Sequence, residues 1–168
     1  MEIMNSSIVF FSSTEFGASV LEKLIDTNEN VVAVVTRTDK VRKRGNKVEM
    51  TPVKKVALEH NIEVLEYDRI DDDGKAKLRE ISPDFFLVVA YGALLSEEVL
   101  NIPKISPINI HASLLPNLRG ASPIESAILL EEKKTGISYM RMNKGLDTGD
   151  VYRKIEVDIS ENETFDTL

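Results

Sequence analysis

The sequence predicts an α/β protein built on an open, mostly parallel, twisted sheet with helices on both faces. Short runs of Val, Ile and Phe recur along the chain, and stretches with apolar residues at helical spacing separate them. The runs are apolar throughout rather than alternating with polar residues, which is typical of strands buried on both faces. The strand–helix–strand order implies parallel strands joined by right-handed crossovers. We therefore expect a Rossmann-like sheet in the first half of the chain.

The elements of the first half follow from these patterns in order. The predicted strands are residues 7–13, 31–36, 63–67 and 85–90. The predicted helices are residues 14–28, 51–60 and 70–81. The second helix has the clearest start, because Thr51 can cap it and Pro52 fits its first turn.

The second half keeps the alternation at first and then changes to antiparallel pairing. The predicted elements are a short helix at 96–101, a fifth strand at 107–113, a helix near 122–132, and two antiparallel strands at 135–142 and 151–159. The last residues, 161–168, are expected to begin a helix that Thr164 caps. The chain has no internal repeat and no interdomain linker.

Composition excludes several classes of protein. The hydrophobic share of 42% and the charged share of 29% are those of a soluble globular chain. The absence of cysteine excludes disulfides and thiolate zinc sites, and two histidines leave no plausible metal cage. The longest apolar stretch has 11 residues, too few to cross a bilayer, and no signal peptide opens the chain. We expect a cytoplasmic protein with no metal, no membrane contact and no obligate protein partner.

The charge is distributed unevenly. The total is −7, which argues against general coating of nucleic acid. Residues 37–55 nevertheless carry +6, from eight basic and two acidic side chains, which leaves −13 for the rest of the chain. A basic segment on an acidic body is consistent with a local phosphate contact, and equally with a solvated loop.

The usual phosphate-binding motifs are missing. Ligands of open parallel sheets bind at the carboxyl ends of the strands. The first such turn reads FFSSTEFGAS and contains neither G-x-G-x-x-G nor G-x-x-x-x-G-K-[ST]. His60 ends a predicted helix and is interpreted as a partner of the helix dipole or as a solvated side chain.

One group of residues carries recognisable chemistry. Asn109 and His111 are two apart on the fifth strand, so their side chains share a face near its carboxyl end. Gly145 and Gly149 permit a tight turn that could aim Asp147 inward. We expect these three polar side chains to meet at one edge of the sheet.

An amide, an imidazole and a carboxylate together suit acyl transfer to an amine. Asn109 could donate to the oxyanion of a tetrahedral intermediate, a contribution of ~3–4 kcal/mol to the barrier. His111 could bind the same oxygen and move a proton, while Asp147 orients the ring. No serine or cysteine nucleophile is placed by the pattern, so the substrate's own amine would attack. The alternative is a packed strand histidine with Asp147 and Asp150 as turn residues, which the spacing fits as well.

Residues 109–150 resemble the folate-dependent formyltransferases, and most closely the methionyl-tRNA formyltransferases. The element N-x-H-x-S-L-L-P-x-x-R-G-x-x-P-I is present as Asn109, His111, Ser113 to Pro116, Arg119, Gly120, Pro123 and Ile124. The element T-G-[IV]-[ST]-x-M-x-M-x-x-G-L-D-T-G-D is present from Thr135 to Asp150. The stretch VVAYG at residues 88–92 matches too.

The resemblance implies transfer of a formyl group from N10-formyltetrahydrofolate to an amine. Asn109, His111 and Asp147 match the catalytic trio of the family. The residues expected to contact the folate are Ser113, Leu114, Leu115, Pro116, Val88, Val89, Ala90, Tyr91, Gly145 and Leu146. A flat pterin needs an apolar slot with backbone donors and acceptors, which such residues offer.

The basic segment bears on the acceptor, because several relatives share the trio. Its R-G-x-K core followed by [ST]-P-V-K resembles the insertion of the tRNA formyltransferases. This implies that Arg42, Lys43, Arg44 and Lys47 bind the acceptor stem of initiator methionyl-tRNA. The alternatives are formylation of a sugar nucleotide or of glycinamide ribonucleotide, or an inactive folate- or RNA-binding remnant.

The chain departs from the family pattern in two places. The first turn of the family reads F-x-G-T-P-x-F, but this chain has Ser12 and Thr14 where the pattern has Gly and Pro. The family also continues into a second, mostly β domain that helps to hold tRNA. We therefore expect residues 1–168 to be a formyltransferase catalytic domain that is incomplete at its C-terminal end and lacks that tRNA-binding domain.

Overall fold

The computed structural model describes residues 6–41 and 48–168, which form two compact units that divide after Pro107. The elements of the first unit are β1 (Ile8–Phe11), α1 (Glu15–Asp26), β2 (Val31–Thr36), β3 (Lys40–Val41), β4 (Val48–Glu49), α2 (Pro52–Glu59), β5 (Glu63–Glu66), α3 (Asp72–Ile81), β6 (Phe85–Val88) and α4 (Glu97–Leu100). The second unit contains most of β7 (Ser106–His111), then α5 (Pro123–Leu129), β8 (Lys134–Arg141) and β9 (Val151–Asp158). In the part of the chain described, no helix is long and apolar enough to span a membrane.

The first unit is built on four parallel strands in the order β5-β2-β1-β6. The central strands are buried on both faces, as their continuous apolar runs predict: Val9, Phe10 and Phe11 have no exposed surface. The rings of Phe11 and Phe86 pack with their centroids 4.7 Å apart. The predicted α/β class and parallel pairing are confirmed.

The helices of this unit begin at side-chain caps. Thr14 accepts a hydrogen bond from the Gly17 amide (3.2 Å), and Thr51 accepts one from the Lys54 amide (3.3 Å). Each cap satisfies one of the backbone donors that the first turn of a helix leaves unpaired. Pro52 begins α2 directly after its cap, as predicted.

The unusual first turn is accommodated by a small residue opposite it. Ser12 has no exposed surface, and its side chain lies against Gly17 in the first turn of α1. A Cβ atom at Gly17 would lie 1.7 Å from Ser12 Oγ and 2.5 Å from Ser12 Cβ. Ser12 therefore fits only because residue 17 has no side chain, while Thr14 caps the helix where the family pattern has a proline.

The second unit is antiparallel. β8 pairs with β7 on one side and with β9 on the other, as predicted for the two late strands. The register places Asn109 opposite Met140 and His111 opposite Ser138. The end of β7 is thereby fixed against the middle of β8.

At the tail, where a helix is expected to begin at Thr164, the amides of Thr167 and Leu168 bond to the Thr164 carbonyl in a single turn. One pair of strands was not predicted. The short strands β3 and β4, which pair antiparallel with Lys40 opposite Glu49, have too few residues to show a periodicity.

Candidate active site

Three polar side chains of the second unit meet at the carboxyl end of β7. Asn109 Nδ2 lies 3.5 Å from Asp147 Oδ1, at the outer limit of a hydrogen bond. His111 Nδ1 lies 3.8 Å from Asp147 Oδ2, which is an electrostatic contact rather than a direct hydrogen bond. The side chains of His111 and Asp147 are only 7% and 10% exposed, so both groups lie in surroundings that screen charge little. The predicted trio is brought together.

Asp147 is held by backbone geometry. It lies between β8 and β9 with φ of +50°, a left-handed conformation in which Asp is tolerated better than most residues. The amide of Gly120 donates to Asp147 Oδ2 at 2.8 Å. Gly149, two residues later, packs so closely that a Cβ there would lie 1.7 Å from the Arg141 carbonyl oxygen. The turn glycine anticipated at 149 is thus required by the close approach of β8.

The imidazole of His111 has a defined proton. Its Nε2 lies 2.9 Å from the carbonyl oxygen of Leu118. A carbonyl can only accept, so Nε2 carries a proton and donates it. Nδ1 is left as the nitrogen that faces Asp147.

The loop after β7 exposes only part of the predicted folate-contacting segment. Ser113 and Leu115 are buried, Leu114 is half-buried and Pro116 is exposed. Ser113 Oγ donates to the Asn117 carbonyl at 2.6 Å and closes the loop on itself. Pro116 and the outer part of Leu114 are the side chains of this segment that a ligand could reach.

The other predicted folate contacts lie in two further segments. In the first unit, Val88, Val89 and Tyr91 are buried, and Ala90 is exposed with φ of +44°. The hydroxyl of Tyr91 donates to the Tyr67 carbonyl (2.7 Å), and burial raises the pKa of Tyr91 to about 12. Only Ala90 and backbone groups of this segment remain open to a ligand.

The third predicted folate-contacting segment is the loop between β8 and β9 in the second unit, and it is more accessible. Leu146 is 61% exposed, and the amide of Gly145 donates to Asn143 Oδ1 at 2.9 Å. The hydroxyl of Thr148 donates to the same oxygen. Asn143 thus orders the turn that presents Leu146 beside Asp147.

The four residues predicted to bind tRNA, Arg42, Lys43, Arg44 and Lys47, lie outside the described residues. Four other cations of segment 37–55 are described, Arg37, Lys40, Lys54 and Lys55, and two of them are held by carboxylates. Arg37 Nε lies 2.6 Å from Asp68, and Lys54 Nζ lies 2.6 Å from Asp39 and 2.9 Å from Glu66. Hydrogen bonds from Lys54 to these two carboxylates raise the pKa of the lysine. The charge of +6 therefore overstates what this segment offers to a phosphate.

Three contributors to the site were missed by the sequence analysis. The amide of Gly120 and the carbonyl of Leu118 are backbone groups, which every residue carries. Leu118 also adopts φ of +53°, a conformation that a leucine in the sequence does not indicate. Ser138 holds the loop after β7 from the facing strand. A buried serine in a strand has no pattern that distinguishes it from a packing residue.

The arrangement combines a hydrogen-bond donor, an imidazole and a carboxylate without a nucleophile. In the described ranges, 6–41 and 48–168, no cluster of His, Asp and Glu could hold a metal ion. The site as built can stabilise a developing negative charge with Asn109 and can take up a proton at His111. These capacities suit addition of an external amine to a carbonyl carbon.

Comparison with known proteins matches most of the chain to a single family. The family described as "Formyl transferase" matches residues 4–168. A methionyl-tRNA formyltransferase from Clostridium acetobutylicum is 52% identical over 159 residues, covering 94% of this chain and 51% of the relative. One from Sulfurihydrogenibium is 44% identical over 163 residues, covering 96% and 52%. The chain thus spans about half the length of the curated relatives it matches.

Solved structures with the same fold are also found. A phosphoribosylglycinamide formyltransferase from Bacillus halodurans superposes with a TM-score of 0.76 at 24% identity, covering 96% of this chain and 84% of that one. The corresponding protein from Brucella melitensis gives 0.74 at 22% identity, with coverages of 97% and 85%. At such identities the likeness establishes the fold, which agrees with the predicted class.

Proposed function

The chain belongs to the formyl transferase family, and we propose that it transfers a formyl group from N10-formyltetrahydrofolate to the amino group of initiator methionyl-tRNA. The observation that carries the proposal is the meeting of Asn109, His111 and Asp147 at the end of β7. An amide, an imidazole and a carboxylate with no nucleophile among them support direct transfer between two bound substrates.

The first step is addition of the amine to the formyl carbon. The amine lone pair forms the new C–N bond, and the π electrons of the formyl group move to its oxygen. Asn109 Nδ2 is the donor best placed for that oxygen, because among the described residues its one partner is Asp147, at a long 3.5 Å. A donor already oriented before reaction stabilises the oxyanion at little reorganisation cost.

The second step needs a proton to leave the attacking nitrogen and another to reach N10. His111 Nδ1 faces Asp147 and is the ring nitrogen free to accept the first proton. The carboxylate, 3.8 Å away, stabilises the imidazolium while it exists. Collapse of the oxyanion then re-forms the carbonyl and breaks the bond to N10, which takes the proton back from the imidazolium and leaves as tetrahydrofolate.

The folate is proposed to lie along the loops that flank the trio. Pro116, the exposed part of Leu114, and Leu146 supply apolar surface. Of the second-unit residues named from the resemblance, these three are the ones whose side chains a ligand could reach.

Initiator methionyl-tRNA is proposed as acceptor on two grounds. The curated relatives at 41–52% identity are named methionyl-tRNA formyltransferases. The R-G-x-K core at residues 44–47 adds cations beyond those that the described carboxylates neutralise. Such cations would contact phosphates of the acceptor stem.

Single-turnover formyl transfer tests the proposal directly. N10-formyltetrahydrofolate would be mixed with the chain and with one of three acceptors: initiator methionyl-tRNA, glycinamide ribonucleotide or a 4-amino-sugar nucleotide. We expect formyl transfer to the tRNA above the reaction without protein. Transfer only to a smaller acceptor would contradict the acceptor proposal but keep the chemistry. No transfer and no folate binding would contradict the proposal as a whole.

The double substitution Arg44→Ala/Lys47→Ala tests the basic segment. We expect weaker tRNA binding, with the slope of log Kd against log salt reduced by about 2, because each phosphate contact contributes about one unit. Folate affinity should stay unchanged. The control is Lys23→Ala/Lys133→Ala, which removes the same charge from exposed positions elsewhere. Equal losses in both variants would show a general charge effect and would contradict a local contact.

A further inference from the structure

Ser138 lies at the centre of the second unit, on β8, with no exposed surface. Its hydroxyl donates to the Ser113 carbonyl at 2.6 Å and accepts from the Leu115 amide at 3.0 Å. Both partners belong to the loop after β7. One side-chain oxygen therefore satisfies two buried backbone groups of the same loop.

The two hydrogen bonds of Ser138 form a clamp on the loop after β7, and this clamp lies next to His111. Ser138 is the direct cross-strand partner of His111, and its hydroxyl holds the chain two and four residues beyond that histidine. The path of the loop beyond β7 is therefore fixed by its hydrogen bonds to β8. Only a group with a donor and an acceptor on one atom can make both bonds, and a serine hydroxyl is the smallest that does.

The constraint extends along the loop to the imidazole. Ser113 Oγ donates to the Asn117 carbonyl at 2.6 Å, and the Asn117 amide donates to the Leu114 carbonyl at 3.2 Å. The next residue, Leu118, presents its carbonyl to His111 Nε2. These hydrogen bonds, together with the backbone link from Asn117 to Leu118, connect Ser138 to the imidazole of His111.

We propose that Ser138 is a positioning residue that fixes the loop 113–118, which binds the formyl donor, against His111. The inference rests on the proposed function, because it assigns the loop to the donor. Ser138 bonds directly to the donor loop, but it reaches His111 only through several further residues. Its loss therefore affects donor binding more than the chemical step. Misplacement of a binding loop by about 1 Å is enough to cost a large factor in rate or affinity.

Ser138→Ala is the principal test. It leaves the Ser113 carbonyl and the Leu115 amide buried without a partner. We expect KM for N10-formyltetrahydrofolate to rise roughly ten-fold or more, with a smaller change in kcat. Ser138→Thr keeps the hydroxyl and should restore KM to near the original value. A KM within two-fold of the original in Ser138→Ala, or equal losses in the Ala and Thr variants, would overturn the proposal.

The matched control lies on the same strand. Thr135 is 7% exposed, and within the described part of the chain its Oγ1 has no hydrogen-bond partner. Thr135→Val removes a buried β8 hydroxyl of similar environment without breaking a bond. Its KM for the donor should not change. A rise equal to that of Ser138→Ala would show that any disturbance of β8 has this effect and would overturn the specific role.

A spectroscopic readout separates this inference from the proposed function. The chain has two histidines, so the imidazole NMR signals of His111 and His60 can be resolved. Ser138→Ala should shift the His111 signals and speed hydrogen exchange at the Leu115 amide, while His60 stays unchanged. Absence of both changes would overturn the clamp even if the original chain transfers formyl groups. Failure of the original chain to bind folate would instead contradict the proposed function.

If Ser138→Ala does not fold, Ser138→Cys serves for the same measurements, because a thiol is of similar size and forms only weak hydrogen bonds.

Discussion

Replacement of His111 by alanine is expected to keep the fold and to slow single-turnover formyl transfer by roughly 10²–10⁴-fold. The imidazole is the group of the trio best suited to take a proton from the attacking amine, because an amide is not basic and a carboxylate is a weaker base than an imidazole. Asn109 remains in the variant and still stabilises the oxyanion, so a residual rate is expected. Affinity for the folate should change little because the loop segment 113–116 stays clamped to β8.

The second histidine of the chain provides the control. His60 is exposed at the end of α2, and His60→Ala should transfer formyl groups at the original rate. Circular dichroism and thermal unfolding of both variants would establish that they fold. A near-original rate in folded His111→Ala would show that His111 is a packed strand histidine, the alternative that spacing alone leaves open.

Gly17→Ala is expected to destabilise the protein by about 1–3 kcal/mol through overpacking. At an unhindered helix position the same change would stabilise by about 0.5–1 kcal/mol, because glycine loses more backbone entropy on folding. Here the new Cβ would lie 2.5 Å from Ser12 Cβ, which rotation of the serine hydroxyl cannot relieve. The sign of the effect is thus set by the neighbour and not by helix propensity.

A double-mutant cycle measures the coupling between these two residues. Ser12→Gly removes the side chain that the new methyl group would meet, so Ser12→Gly/Gly17→Ala should be more stable than Gly17→Ala alone. Urea unfolding of the four proteins would give the four free energies of unfolding. We expect the coupling to exceed about 1 kcal/mol, as is usual for residues in contact. Strictly additive free energies would contradict the account of the first turn.

Much of the fold was predictable because its signals are local. The strand at 31–36 and the cap at Thr51 are read from short stretches, since apolar runs and capping side chains act within a few residues. The strands β3 and β4 were not predictable in this way, because two residues each are too few to show a periodicity.

The sequence by itself determined the α/β class, the family motifs and the trio of Asn109, His111 and Asp147. Residues two apart on a strand share a face whatever surrounds them. Only the tertiary structure decided how the trio is held. The Gly120 amide, the Leu118 carbonyl and the Ser138 hydroxyl are brought to the site from other segments. The partner of a buried polar group is chosen by proximity in space, because such a group must be satisfied wherever the chain places it, and no spacing along the chain encodes that choice.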